Sequence, residues 1–295
     1  MNTLKADEAA LEDPSDMDAA YAFCVSLAAS RCECFPVASR IIERRLRKHV
    51  AALYAFARLA EDFADGPDDA GVRAERLLDW RRQLREAARG LPARHPVFVA
   101  LAGTIKELEL PVELFDDLLS AFLQDVAKKR YGSFDEILDY CRLSANPAGR
   151  LVLLIHGYRE PELFRYSDAV CTALRLAGFW RDLSADLKKD RVYIPEEDFK
   201  AFGYSEADLL MGVVNERFRG LMKFELNRTR ALFEQGRPLS GKLRWPLSWA
   251  VRLAWRGGCG ILRKIRRAGF DTLSARPRLT RWDWIPLAAR SLLQP

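Results

Sequence analysis

The chain has 295 residues, 49% of them hydrophobic and 30% charged, and carries a net charge of +6. That balance is typical of a soluble globular protein able to bury a large core. No apolar run is long enough for a membrane-spanning helix, and the acidic N-terminus lacks the basic-then-apolar pattern of a signal peptide, so a membrane-spanning or secreted chain is not expected. Residues 1–16 read as a loose acidic tail, and 17–295 as one all-α domain. A helix is predicted over 19–30, with a break at Cys34-Phe35-Pro36. From 40 to 65, Ile41, Val50, Leu53, Tyr54, Ala57 and Ala60 recur at helical spacing, and Gly66-Pro67 ends the run. Further helices are predicted over 70–89, 96–109, 111–128 and 134–158, the last containing Asn146-Pro147. Pro161 opens a long apolar helix to about 187, and 191–195 is a short extended piece. Helices resume over 205–235, 242–268 and 281–293. These elements describe a helical bundle with an apolar cavity between facing helices.

Two acidic clusters interrupt otherwise apolar helices: Glu61-Asp62-Phe63-Ala64-Asp65 and Asp182-Leu183-Ser184-Ala185-Asp186. Carboxylates four residues apart lie on one helix face, one turn apart, where they repel each other and call for positive charge. Hard divalent cations, chiefly Mg²⁺, suit such oxygen ligands and bridge them to phosphates. A solvated helix face would explain either cluster alone. The two together, each preceded by an arginine, point to a site that grips a diphosphate at the mouth of the apolar cavity.

Six cysteines (Cys24, Cys32, Cys34, Cys141, Cys171, Cys259) are scattered through the chain. Cys32-Glu33-Cys34 is too tight for an ordinary disulfide, so reduced thiols in a cytoplasmic protein are expected. From Arg237 onward there are 13 Lys and Arg against two acids, with Trp245, Trp249, Trp255, Trp282 and Trp284 interspersed. Peripheral contact with an anionic membrane and an ordinary packed helix with solvated arginines both explain this tail. No nucleic-acid signature accompanies it.

The segment Tyr54-Ala55-Phe56-Ala57-Arg58 with its acidic cluster, and Arg181-Asp182-Leu183-Ser184-Ala185-Asp186 followed by Arg191-Val192-Tyr193-Ile194-Pro195, resemble the squalene/phytoene synthase family of all-α isoprenoid synthases. The resemblance runs from about residue 30 to 281. Phe35-Pro36-Val37-Ala38-Ser39, Ser144-Ala145-Asn146-Pro147-Ala148-Gly149-Arg150 and the Gly257-Gly258 pair are similar to the family's bacterial hydroxysqualene synthases of hopanoid biosynthesis. That branch ionises presqualene diphosphate with Mg²⁺, rearranges the cation and captures water to give hydroxysqualene.

The resemblance implies that Glu61, Asp62, Asp65, Asp182 and Asp186 hold metal. It implies that Arg58, Arg181, Arg191, Arg276 and Arg175 face the diphosphate, and that Tyr54 and Tyr193 orient the leaving group. Catalysis would then rest on Tyr54, Arg58, Asp62, Asp182 and Tyr193, with Phe35 and Asn146 at the cavity. Three positions depart from the family pattern: Glu61 stands for the usual Asp, and Arg175 and Gly178 for Gln and Asn. Two other functions compete: a head-to-head condensing enzyme joining prenyl diphosphates, and a non-catalytic lipid-binding or assembly member. Retention of the acidic clusters argues against the last. The sequence leaves the oligomeric state open.

Overall fold

A computed structural model describes residues 9–11, 13, 16–31 and 42–293, with the side chains of Arg281 and Leu293 excepted. The predicted tail and the break at Cys34-Phe35-Pro36 lie largely outside the described residues. Every regular element among those described is a helix, as expected for the all-α class. Their contacts divide the chain into two compact units, Met1–Ala127 with Arg150–Arg159, and Lys128–Gly149 with Glu160–Pro295.

The first unit is built around α2 (Arg44–Ala64), which packs against α1 (Met17–Arg31), α3 (Ala70–Ala88), α4 (Pro96–Leu108) and α5 (Val112–Ala127). Its buried face presents Val50, Leu53, Phe56, Ala60 and Phe63. Phe56 meets Trp80 of α3, Phe98 of α4 and Phe115 of α5 at centroid distances of 6.2, 6.4 and 5.6 Å. Trp80 stacks on Phe56 while Phe98 and Phe115 meet it edge to face, attraction added to their large buried area. The helix starts follow local chemistry. Asp69 caps α3 by accepting from Val72 N–H at 3.1 Å, and Pro96 opens α4, where its missing N–H costs nothing.

The second unit is organised by α8 (Pro161–Leu187), 27 residues long and therefore about 40 Å. It packs on α6 (Phe134–Ser144), α11 (Glu216–Gly236), α12 (Leu239–Lys242) and α13 (Leu247–Arg267). Trp180 Nε1 donates to Thr229 Oγ1 at 2.8 Å, tying the middle of α8 to α11. The remaining elements of this unit are α9 (Glu196–Ala201), α10 (Glu206–Leu210) and α14 (Arg281–Leu293).

Three predicted helices are broken. The helix expected over 134–158 stops at Ser144, and α7 (Asn146–Ile155) follows Ala145. Pro147 lacks the N–H that would continue the ladder and its ring would strike the carbonyl four residues back. The helix expected over 205–235 breaks at Gly212, whose φ of 71° lies in the left-handed region, and Asn215 recaps α11 by accepting from Phe218 N–H at 3.0 Å. The one over 242–268 divides before Pro246 into α12 and α13. Residues 191–195 form no strand, with a bend at Ile194. Val192 and Glu196 instead donate to the carbonyls of Lys129 and Tyr131 at 3.0 and 2.9 Å.

Gly258 has a packing reason. A Cβ there would fall on the ring of Phe233 and 2.9 Å from Leu174 Cδ2, so α13 closes on its neighbours only without one. Gly258→Ala is expected to cost about 1–3 kcal/mol by overpacking. Gly241→Ala, at a position open to space, should leave the denaturation midpoint level or higher. Equal midpoints for both variants in urea would contradict this account.

Candidate active site

The last turns of α2 carry Tyr54, Arg58, Glu61 and Asp62 at intervals of four, three and one, which sets them on one helix face. Asp65 follows just past the helix end and is exposed, its backbone N–H bonded to the Glu61 carbonyl at 3.0 Å. Arg58 bridges both neighbours, 3.2 Å from Glu61 and 3.1 Å from Asp62. Arg31, at the end of α1, forms a second, shorter ion pair with Asp62, and its carbonyl accepts from the Tyr54 hydroxyl at 3.3 Å. Burial pulls the Arg58 guanidinium down, but the carboxylates of Asp62 and Glu61 outweigh it and hold the group above its ordinary value.

In the second unit one face of α8 carries Arg175, Gly178, Phe179, Asp182 and Asp186, which recur at helical spacing. Asp182 accepts from Arg181 Nε at 2.8 Å and from Arg276 Nε at 2.5 Å, with a further contact to Arg181 Nη2. Burial alone would raise the Asp182 carboxyl, but these guanidinium bonds reverse that and hold it low. Asp186, one turn on, behaves oppositely. Burial and the Asp182 charge push it up to about 7, against the weaker pull of Arg191, Lys189 and Arg175. Arg191 is buried, and its backbone N–H donates to the Asp186 carbonyl at 2.9 Å.

An aromatic group adjoins this face. Tyr193 stacks on Phe179 at 3.8 Å between centroids, and Tyr131 and Tyr140 each lie 5.7 Å from Tyr193. Arg175 lies 5.5 Å from the rings of both Tyr140 and Phe179 and donates to the Tyr140 hydroxyl at 2.7 Å. A Cβ added at Gly178 would meet nothing within 4 Å, so α8 presents an open notch there. Asn146 is buried, and its Oδ1 accepts from Thr172 Oγ1 at 3.0 Å.

The predicted residues thus fall into two sets. Tyr54, Arg58, Glu61 and Asp62 form one on α2, with Asp65 at its end. Arg175, Arg181, Asp182, Asp186, Arg191, Tyr193 and Arg276 form the other around α8. Phe35 lies outside the described residues. The sequence reading missed Arg31, which carries no periodic signal at the end of its helix. It also missed Tyr140 and Phe179, although Phe179 stands one turn from Arg175. Among the described residues no three His, Cys, Asp or Glu side chains form a ready-made metal cage. Arginines pair instead with Asp62 and Asp182. The donors are nevertheless all carboxylate oxygens, so the chemistry of the set suits a divalent cation.

Comparison with known proteins gives the chain's family and fold. The squalene/phytoene synthase family profile matches residues 28–283. A phytoene synthase of Arthrospira platensis is 29% identical over 298 aligned residues, covering 94% of this chain and 95% of the relative. A 15-cis-phytoene synthase of Synechococcus elongatus is 28% identical and covers 91% of each. The crystal structure of squalene synthase HpnC from Alicyclobacillus acidocaldarius superposes with a TM-score of 0.82 at 35% identity, over 88% of this chain and 97% of that one. A dehydrosqualene synthase superposes with a TM-score of 0.84 at 20% identity, over 95% of this chain and 98% of that one, a likeness of fold. The chain belongs to the squalene/phytoene synthase family.

Proposed function

We propose that this chain is a hydroxysqualene synthase acting on presqualene diphosphate with Mg²⁺, in a cytoplasmic setting. The family condenses prenyl diphosphates head to head, and its members are prenyltransferases. The narrower reading rests chiefly on α8. There Arg175 sets a fixed positive charge about 10 Å, two helical turns, before Asp182, and Gly178 leaves a notch beside it. Condensation holds a donor and an acceptor diphosphate together, whereas ionising one preformed diphosphate needs fewer polar ligands. The 35% identity with squalene synthase HpnC supports a place on a squalene-forming route without selecting the step.

The thiols bear on the setting. Cys24, Cys141, Cys171 and Cys259 are free, and burial is the main cause that lifts each above an ordinary thiol. Cys24 and Cys141 are raised to about 12, and Cys171 and Cys259 to about 11. Inert, reduced thiols of this kind support a cytoplasmic protein.

Diphosphate loss leaves both bonding electrons on oxygen, so catalysis requires positive groups aimed at that oxygen as charge grows. Arg58, Arg181, Arg191 and Arg276 would bind the diphosphate oxygens, where a guanidinium can hold two at once. Arg31 joins them on the strength of its pairing with Asp62. Asp62, Asp65, Asp182 and Asp186, with Glu61, would hold Mg²⁺, which supplies further neutralisation of the leaving group. Arginines and aspartates satisfy each other in the structure, so binding of a diphosphate exchanges these pairs for contacts with the ligand. The cyclopropylcarbinyl cation left behind rearranges, and water adds to it with loss of a proton to give hydroxysqualene. The rings of Tyr140 and Phe179 already face the Arg175 guanidinium and hold that cation in place beside the site.

Purified protein with Mg²⁺ and presqualene diphosphate is expected to yield hydroxysqualene by mass spectrometry, and none from farnesyl diphosphate. The phytoene synthase relatives favour a second reading, head-to-head condensation, and turnover of a farnesyl or longer diphosphate would establish that instead. Silence with every prenyl diphosphate would favour a non-catalytic member. Arg175→Gln is expected to lower kcat on presqualene diphosphate by about 100-fold, the scale for losing one preorganised positive donor, with Arg175→Lys retaining part of it. Unchanged kcat in Arg175→Gln would remove the main support for the narrower reading.

A further inference from the structure

The two faces of α14 are both apolar, and only one is covered among the described residues. The inner face packs on α13. Leu287 and Ser291 are buried, Trp249 Nε1 donates to the Ala288 carbonyl at 3.4 Å, Arg252 to the Ser291 carbonyl at 2.9 Å, and Lys264 pairs with Asp283 at 2.6 Å. The outer face carries Trp282, Ile285, Pro286, Ala289 and Leu292, which recur at the spacing of a single helical stripe. Trp282 is 82% exposed, Ile285 60% and Leu292 59%, and Trp245, before α13, is 62% exposed. A helix on the surface of a globular protein turns a polar face outward, and an apolar stripe in that place marks a contact.

The charge of the adjoining α13 and of α14 itself, where Arg263 and Arg290 are exposed, selects the partner. Arg252, Arg290, Arg237 and Arg263 crowd around Arg256, and burial followed by their repulsion lowers its guanidinium below the ordinary value. The two acids of the tail are engaged elsewhere: Asp283 pairs with Lys264, and Asp271 accepts from the backbone N–H groups of Leu273 and Ser274. A second copy seated symmetrically on this face would bring one arginine group against another. A polyanionic nucleic acid would answer the charge and leave Ile285 and Leu292 in water. An anionic lipid surface answers both, because Trp and aliphatic side chains enter the headgroup boundary while arginines meet the lipid phosphates.

We propose that the outer face of α14, with Trp245 and the exposed Arg263 and Arg290, docks this protein on an anionic lipid bilayer. This docking does not depend on which prenyl diphosphate the active site takes. The test is sedimentation of the full chain with vesicles of phosphatidylcholine alone and of phosphatidylcholine with phosphatidylglycerol. Binding is expected to be at least about tenfold tighter to the anionic vesicles and to weaken as salt rises from about 0.1 M to about 1 M. Trp282→Ser, Ile285→Ser and Leu292→Ser together are expected to lose about tenfold or more, as should Arg263→Glu with Arg290→Glu. Trp282→Ser alone, at the most exposed of these positions, should lose part of the binding with an unchanged melting curve. Wild-type protein indifferent to both vesicles, or a triple variant that sediments as wild type, would overturn the proposal. So would a lipid-free dimer that the triple variant dissolves, which assigns the face to a second copy. Binding to an RNA oligomer that the arginine variants lose and the serine variants keep, with none to vesicles, would assign it to nucleic acid.

Discussion

Asp186→Asn is expected to stabilise the protein and abolish its turnover. The carboxyl lies partly buried one turn from Asp182, and burial with that neighbouring charge lifts it to about 7. A carboxylate in this state opposes folding at higher pH, because the ionised form is better solvated in the unfolded chain. An isosteric amide removes the charge, and an increase of about 1–3 kcal/mol in unfolding free energy near pH 8 is expected. Turnover of presqualene diphosphate should fall at least about 1,000-fold, equivalent to roughly 4 kcal/mol of transition-state stabilisation. Asp182→Asn should lose activity to a similar degree without the gain in stability, since Asp182 is well paired with Arg181 and Arg276. Urea unfolding and product assays on the same preparations decide the matter. A structural role for Asp186 predicts a loss of stability and activity together. A gain in one with loss of the other identifies a residue kept for binding at the expense of the fold.

The helices that hold the two acidic clusters were legible because their ends are punctuated. Gly66-Pro67 follows α2, and Pro161 opens α8 within a long apolar run. The breaks at Ala145 and Gly212 were harder to place. Apolar periodicity continues through both, and one proline or one left-handed glycine decides the outcome. Carboxylate pairs four residues apart could also be read directly, since a helix turns spacing into proximity. Their partners could not. Arg31 reaches Asp62 across 31 residues and Arg276 reaches Asp182 across 94, and no period of the chain encodes either separation. For the same reason the tail read equally well as a packed helix or as a membrane contact. The observed α14 separates its tryptophans: Trp284 lies against Gly257, and Trp282 faces outward.

Arg228→Ala is expected to be among the most destabilising single substitutions in the second unit, at about 3–5 kcal/mol, and more so at pH 8 than at pH 5. Arg228 holds both oxygens of Glu225 at 2.6 and 2.7 Å and Asp198 at 2.6 Å. Its guanidinium also lies 3.6 Å from the centroid of the Phe134 ring. Both carboxyl groups are buried, Glu225 completely. One guanidinium between two buried acids leaves a net negative charge. Burial, with Asp198 adding to it, pushes Glu225 up to about 8 despite Arg228. An acid whose folded value lies above its unfolded one favours the fold most below the unfolded value, 4.5 here, and that contribution is lost as pH rises through the folded value of about 8. Without Arg228 the Glu225 carboxyl rises further, so the penalty grows with pH, and at pH 5 its protonation relieves most of it. Glu225→Gln removes the titrating group and should flatten the pH dependence of wild-type stability between about 5 and 8. Unfolding midpoints at the two pH values test the sign. An Arg228→Ala deficit that is equal at both, or larger at pH 5, would mean that lost packing over Phe134 dominates and the guanidinium's charge does not.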